Sequence, residues 1–172
     1  MNHTLSDKEK AFIENAVNNY YDEIYRFLVK RCGDEEKAKD ISQETFVKFA
    51  SSVAIYKERN KLRAYLYKIA INCSADYYRN LNSDLPLDEA IGVPAENILS
   101  PQTQLEQLET SEKVKNCLAS LPQNYQDVLI LRFYSDLKPR EIAKVLNIPL
   151  ATVKTRLYRA KEIFEREWKN EE

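Results

Sequence analysis

The sequence predicts an all-α protein built as two small helical domains joined by an acidic, flexible linker, and three observations carry that prediction. Of 172 residues only two are glycine and six proline, while 44% are hydrophobic; no run of alternating β-branched residues between turn signals reads as a strand. Apolar residues recur instead at helical spacing along most of the chain. Charge also falls in blocks. Residues 1–80 carry 14 Lys and Arg against 12 Asp and Glu, residues 81–110 none against six, and residues 111–172 carry 12 against nine. The net charge of −1 therefore hides two mildly basic blocks around an acidic segment with no basic residue.

The N-terminal block, residues 1–80, is expected to hold four helices. The first covers about residues 7–29. Another starts near Asp34, just after Gly33, with acids suited to the positive end of a helix dipole. On this helix Ala38, Ile41, Thr45 and Phe49 fall on one face, and Asp40, Gln43, Glu44 and Val47 on the other. No nucleophile, His or pocket-forming glycine accompanies the acids, so the stripe is not read as a catalytic site. Val47 ringed by hydrogen-bonding groups resembles a protein-contact patch; the alternative is an ordinary solvated face.

Residues 51–60 lose the helical pattern and read as a loop. A helix resumes over residues 62–80, with Leu62, Leu66, Ile69, Cys73 and Tyr77 inward and Tyr67, Lys68, Ile71, Asn72, Tyr78 and Arg79 outward. Between Tyr56 and Arg79 stand six basic residues, Lys57, Arg59, Lys61, Arg63, Lys68 and Arg79, against two acids, interleaved with Tyr56, Tyr65, Tyr67, Tyr77 and Tyr78. Basic groups hold a phosphate backbone and aromatic faces stack on unpaired bases, so this stretch suits single-stranded DNA. The alternative is a helix with tyrosines on its rim.

Residues 81–110 hold Pro86, Gly92, Pro94 and Pro101 besides the six acids, a composition that buries too little apolar surface to offset chain entropy. Leu85, Leu87, Ile91, Ile98 and Leu99 are more than a bare spacer needs. Residues 111–172 form the second domain. Val114, Cys117 and Leu118 precede a helix break at Leu121 and Pro122, and the apolar run 125–134 is expected to be the central core helix.

Residues 138–159 read as a helix, a tight turn and a second helix. Ile142, Ala143, Val145 and Leu146 lead to Asn147, which tolerates the left-handed conformation at a helix end. Ile148 and Pro149 make the turn, Pro fitting the start of the next helix because it has no amide hydrogen to leave unpaired. Val153, Leu157, Ala160 and Phe164 then share one face of that helix. Ala151, Thr152, Thr155, Tyr158 and Arg159 share the other, flanked by Lys154, Arg156 and Lys161. Small, hydroxylated and basic residues in that order suit a major groove, where short side chains permit close approach and Arg takes the guanine edge. A basic solvated face on a helical hairpin is the alternative.

Several classes are excluded. Cys32, Cys73 and Cys117 are far apart and His3 is the one histidine, so no zinc site or other metal centre is expected. No cofactor motif and no catalytic constellation is found. The polar N-terminus and the absence of an apolar run of about 18 residues point to a cytoplasmic protein.

Taken together, the motifs resemble a known family. Leu121, Tyr125, Val128, Leu131, Arg132 and Phe133, then Glu141, Ile142 and Ala143, then TVKTRLYRA at 152–160 resemble region 4 of the sigma factors of bacterial RNA polymerase. DISQETF at 40–46 resembles the polymerase-binding helix of region 2, and LRAYLYKIAIN at 62–72 its promoter-melting helix. Two such blocks with a short linker are similar to the extracytoplasmic-function (ECF) class. Tyr65 in place of Trp, Ile71 in place of a basic residue, and Asn147 and Ala151 in place of Gly depart from the pattern and bear on promoter sequence.

The resemblance implies a cytoplasmic alternative sigma factor, no enzyme in itself, that directs promoter-specific initiation in answer to a stress or envelope signal. Region 2 would occupy residues 1–80, the linker 81–110 and region 4 residues 111–172. Asp40, Gln43, Glu44, Phe46 and Val47 would meet core RNA polymerase. Tyr56 to Arg63, with Lys57, Arg59 and Lys61 between them, would form the loop that captures a flipped base of the downstream promoter element, and Lys68, Asn72, Asp76 and Arg79 would line the opened strand. Ala151, Thr152, Lys154, Thr155, Arg156, Tyr158, Arg159 and Lys161 would face duplex promoter DNA. The acidic linker would thread the polymerase cleft, and an anti-sigma factor, often membrane-anchored in this class, is the expected inhibitor. The competing reading is a free-standing helix-turn-helix regulator that acts on duplex DNA without polymerase.

Overall fold

The computed structural model describes residues 4–57, 61–83 and 105–171. Among them are seven α-helices and no strand, in two units, Met1–Glu89 and Ala90–Glu172. None of the described helices is long and apolar enough to cross a membrane.

Among its described residues the first unit has three helices, where four were expected. Helix α1, Asp7–Cys32, starts at Ser6, whose hydroxyl accepts the Glu9 amide while the Glu9 carboxylate accepts the Ser6 amide. It runs unbroken for 26 residues, because nothing between Asp7 and Cys32 is a glycine or proline. It stops at Gly33, whose φ of 68° a side-chain-bearing residue adopts only with strain. Asp34 then caps α2, Glu35–Ser52, by accepting the Lys37 amide at 3.1 Å.

Helix α3, Leu62–Ser83, completes the unit, and the three pack pairwise around Ile24, Phe27, Leu28, Ile41, Phe49 and Leu66. Each such side chain contributes about 1.5–3 kcal/mol by leaving water. Ser42 and Thr45 are buried on α2 without penalty, since each hydroxyl donates to the carbonyl four residues back, Ala38 at 2.6 Å and Ile41 at 2.7 Å.

The buried face of α3 is turned from the one expected. Leu62, Leu66 and Cys73 are buried, but Ala70, Ser74 and Tyr67 join them, while Ile69 and Tyr77 are half-buried. Tyr67, expected to point outward, is 0% exposed. The helix touches both α1 and α2, so two adjacent stripes are covered rather than one, and the 66/70/73 and 67/74 rows go in together.

The second unit opens with α4, Leu105–Ser120, and helix α3 likewise extends to Ser83, so helix occupies residues 81–83 and 105–110 at the two ends of the expected linker. The expectations for residues 84–104 lie outside the described residues. Helix α5, Gln123–Leu129, continues into a π-helical turn at Ile130–Tyr134. There the Ser135 amide donates to the Ile130 carbonyl and that of Leu137 to Leu131, with Asp136 at a φ of 51°. The wider turn sends Leu131 and Leu137 into the core and leaves Phe133 and Tyr134 exposed, so the run 125–134 is a core helix only as far as Leu131.

Helix α6, Pro139–Leu146, ends at Asn147 with φ 53° and ψ 49°. Helix α7, Leu150–Asn170, begins one residue after Pro149 and buries Val153 and Ala160 against α5 and α6.

Candidate nucleic-acid interface

The first twelve residues of α7, 150–161, contain four basic side chains and no acid. Val153 and Ala160 anchor the inner face, which leaves Ala151, Lys154, Thr155, Tyr158, Arg159 and Lys161 exposed and Thr152 and Arg156 half-buried at the edges. Thr155 donates to the Ala151 carbonyl at 3.0 Å, which fixes its rotamer and aims its lone pairs outward as acceptors. Lys161 Nζ lies 5.1 Å from the centre of the exposed Phe133 ring, a cation–π contact that holds the ammonium beside the helix. The Tyr158 hydroxyl bonds to the Glu162 carboxylate, which raises its pKa and holds the phenol neutral. The start of α7 thus presents a positive edge, with α6 and Asn147 holding it in place.

On the first unit, the residues expected to meet single-stranded DNA divide by what they pair with. Lys57, Lys61, Lys68, Asn72 and Arg79 are exposed. Asp76 is half-buried and shared by two cations, Lys48 at 3.4 Å and Arg79 at 3.1 Å, while Lys48 also reaches Glu44 at 3.1 Å. Arg63 turns back onto α1: its Nε donates to Glu23 Oε1 at 2.6 Å. Arg59 lies outside the described residues.

The tyrosines also divide. Tyr56 is stacked on Tyr65 with centroids 4.7 Å apart and planes 18° apart, and both meet Phe49 edge-on. Tyr65 donates to Ser52 Oγ at 3.1 Å. These half-buried rings are engaged with one another and with Phe49, and they tie the segment after α2 to the start of α3. Tyr77 and Tyr78, edge to face at 5.7 Å, remain half-exposed. Burial, then the nearby Cys32 thiol, pushes the Tyr78 hydroxyl well above the usual phenol value, so it is protonated at neutral pH.

The exposed stripe of α2 consists of Asp40, Gln43, Glu44 and Val47, with Val47 65% exposed. Phe46 is not on it. That ring is 7% exposed and packs 5.6 Å from Tyr21, because position 46 follows the buried Thr45 onto the α1 side of the helix. Two further residues of this unit escaped sequence reasoning. Ile55 is 78% exposed but sits where the helical pattern had lapsed, and Lys48 joins Glu44 to Asp76 across 28 residues, which no local pattern reveals. Among the described residues no group of His, Cys, Asp and Glu could hold a metal ion.

Comparison with known proteins places these faces in context. Residues 16–83 match the sigma-70 region 2 family and residues 111–163 the sigma-70 region 4 family. The chain is 30% identical over 164 residues to the ECF RNA polymerase sigma factor SigW of Bacillus subtilis, covering 90% of this chain and 87% of that one. It is 32% identical over 156 residues to the RNA polymerase sigma factor YlaC of the same organism, covering 90% of each. Its fold is similar to that of CnrH, solved with the cytosolic domain of CnrY, at a TM-score of 0.72 and 19% identity over 95% of this chain and 91% of that one. RpoE of Bartonella quintana, solved with the anti-sigma factor NepR, gives 0.69 and 19% over 91% and 96%. A free-standing helix-turn-helix regulator has no use for region 2, so that reading falls. Carrying regions 2 and 4 in order, and similar over nine-tenths of its length to such factors, the chain belongs to the extracytoplasmic-function class of RNA polymerase sigma factors.

Proposed function

We propose that the two units divide the work of promoter-specific initiation. The first unit docks on core RNA polymerase through Asp40, Gln43, Glu44 and Val47, and holds the melted strand along Lys57, Lys61, Lys68, Asn72 and Arg79. The second reads the upstream element as duplex through α7, with Ala151, Thr152, Thr155, Arg156 and Arg159 in the major groove and Lys154 and Lys161 toward phosphates. The chain acts as a regulatory subunit, leaves the chemistry to polymerase and works where polymerase is, in the cytoplasm. The acidic stretch that joins the two helical blocks, with four acids and no basic residue over 84–104, mimics nucleic acid on a basic polymerase surface. An anti-sigma factor is the inhibitor that fits this class, covering the same faces.

The observation that carries this reading is the acid-free, twelve-residue start of α7 in one unit together with an exposed acidic and apolar stripe on α2 in the other. The opposed signs suit opposed partners, DNA and protein. Run-off transcription with purified core polymerase on fragments of the source genome tests it, alongside capture of core on the immobilised protein. Selective new transcripts that disappear with Asp40→Lys and Glu44→Lys are expected. Binding to duplex fragments without any affinity for core would overturn it.

A further inference from the structure

We propose that Glu23 of α1 is a positioning residue for promoter opening, and that Arg63 serves the opened strand only through it. The inference rests on the function proposed above. Three donor contacts converge on one carboxylate oxygen. Arg63 Nε donates to Glu23 Oε1 at 2.6 Å with Nη2 beside it, and the Tyr67 hydroxyl donates to the same oxygen at 2.7 Å. The guanidinium lies 5.8 Å from the centre of the Tyr67 ring. Tyr67 is fully buried and meets Phe27 of α1 edge-on at 5.0 Å.

Arg63 and Tyr67 are the second and sixth residues of α3, one turn apart, so the carboxylate fixes the first two turns of that helix in both rotation and height. That clamp aims Lys61, just before the helix, and Lys68, one turn after Ala64. The contacts are charge-assisted, and both side chains of the ion pair are about one-third exposed, so the pair is screened less than a surface bridge. A guanidinium with its fork turned onto α1 does not present that fork to a phosphate.

The test uses holoenzyme on a promoter recovered from the run-off selection, with Glu23→Gln, Arg63→Gln, the double variant and Glu23→Asp. If Arg63 acts through Glu23, the two single changes slow open-complex formation to a similar degree, about tenfold. The double variant is then no worse than either, as non-additive partners require. Glu23→Asp, which keeps the carboxylate, recovers most of the loss. Affinity for core and the thermal midpoint stay near wild type, which separates positioning from general destabilisation.

Salt dependence supplies the second readout. Losing one phosphate contact to a single strand lowers the slope of log affinity against log salt by about 0.7. Lys68→Ala should do so and Arg63→Gln should not. A lowered slope in Arg63→Gln, additive losses in the double variant, opening at the wild-type rate in all of them, or loss of core binding in step with stability would each overturn the proposal. A wild-type protein that never initiates with core would instead sink the function on which it rests.

Discussion

Replacing Phe49 by leucine should destabilise the first unit alone. The Phe49 ring is fully buried and touches Phe12 at 5.9 Å, Tyr56 at 6.2 Å and Tyr65 at 6.3 Å. Leucine keeps most of the apolar area but loses all three ring pairs, each worth about 0.5–1.5 kcal/mol beyond area. With partial repacking the loss is about 2 kcal/mol, which lowers the midpoint of a unit of this size by about 10 °C.

The chain itself supplies two probes that tell the units apart. Trp168, the one tryptophan, lies on α7 beneath Lys113 and against Phe164, so its fluorescence reports the second unit. Circular dichroism at 222 nm reports helices of both. Phe49→Leu should shift the dichroism transition and leave the fluorescence transition in place. Opening should also slow, since the Tyr56 and Tyr65 stack that leads to Lys57 rests on this ring. A fluorescence transition that moves with the dichroism, or no shift in either, would refute the reasoning.

Other outcomes follow from the same geometry. Lys154→Ala should weaken duplex promoter binding on all sequences alike and lower the salt slope by about 0.9, whereas Arg159→Ala should cost about 1–3 kcal/mol on the preferred sequence and relax base preference, both read by titration at several salt concentrations. Asn147→Ala should destabilise the second unit by about 1 kcal/mol, read as an earlier Trp168 fluorescence transition, since alanine at a φ of 53° is strained, while Asn147→Gly should not. Burial raises the thiol pKa of both Cys73 and Cys117, so these groups release protons more readily when unfolded. Their contribution to stability is therefore intact below the unfolded thiol pKa of about 8.5 and falls as pH climbs above it. A thiol reagent at pH 8 should label half-exposed Cys32 on the native protein and reach the other two only on unfolding.

Helix α7 and the turn before it were legible in the sequence because everything that makes them is local. Asn147, Pro149 and the 3.6-residue spacing of Val153 and Ala160 sit within fifteen residues, and the acid-free stretch can be counted directly. The exposed stripe of α2 was legible for the same reason, since helical period alone separates Ala38, Ile41, Thr45 and Phe49 from Asp40, Gln43, Glu44 and Val47. Phe46, at the border between the two faces, was assigned by its motif, and the motif does not record that Tyr21 covers it.

Only the tertiary structure decided which of the basic and aromatic residues between 56 and 79 are available. Period assigns a residue to a face, but it does not say how many neighbours cover that face. With both α1 and α2 against α3, Tyr67 went inside, Arg63 found Glu23 forty residues earlier and Asp76 found Lys48 twenty-eight residues earlier. Sequence by itself determined the all-helical class, the helix-turn-helix and the outward chemistry of α2 and α7, because those depend on contacts within a few turns. The division of the α3 residues between clamp and surface depends on long-range packing, and no one-dimensional pattern contains it.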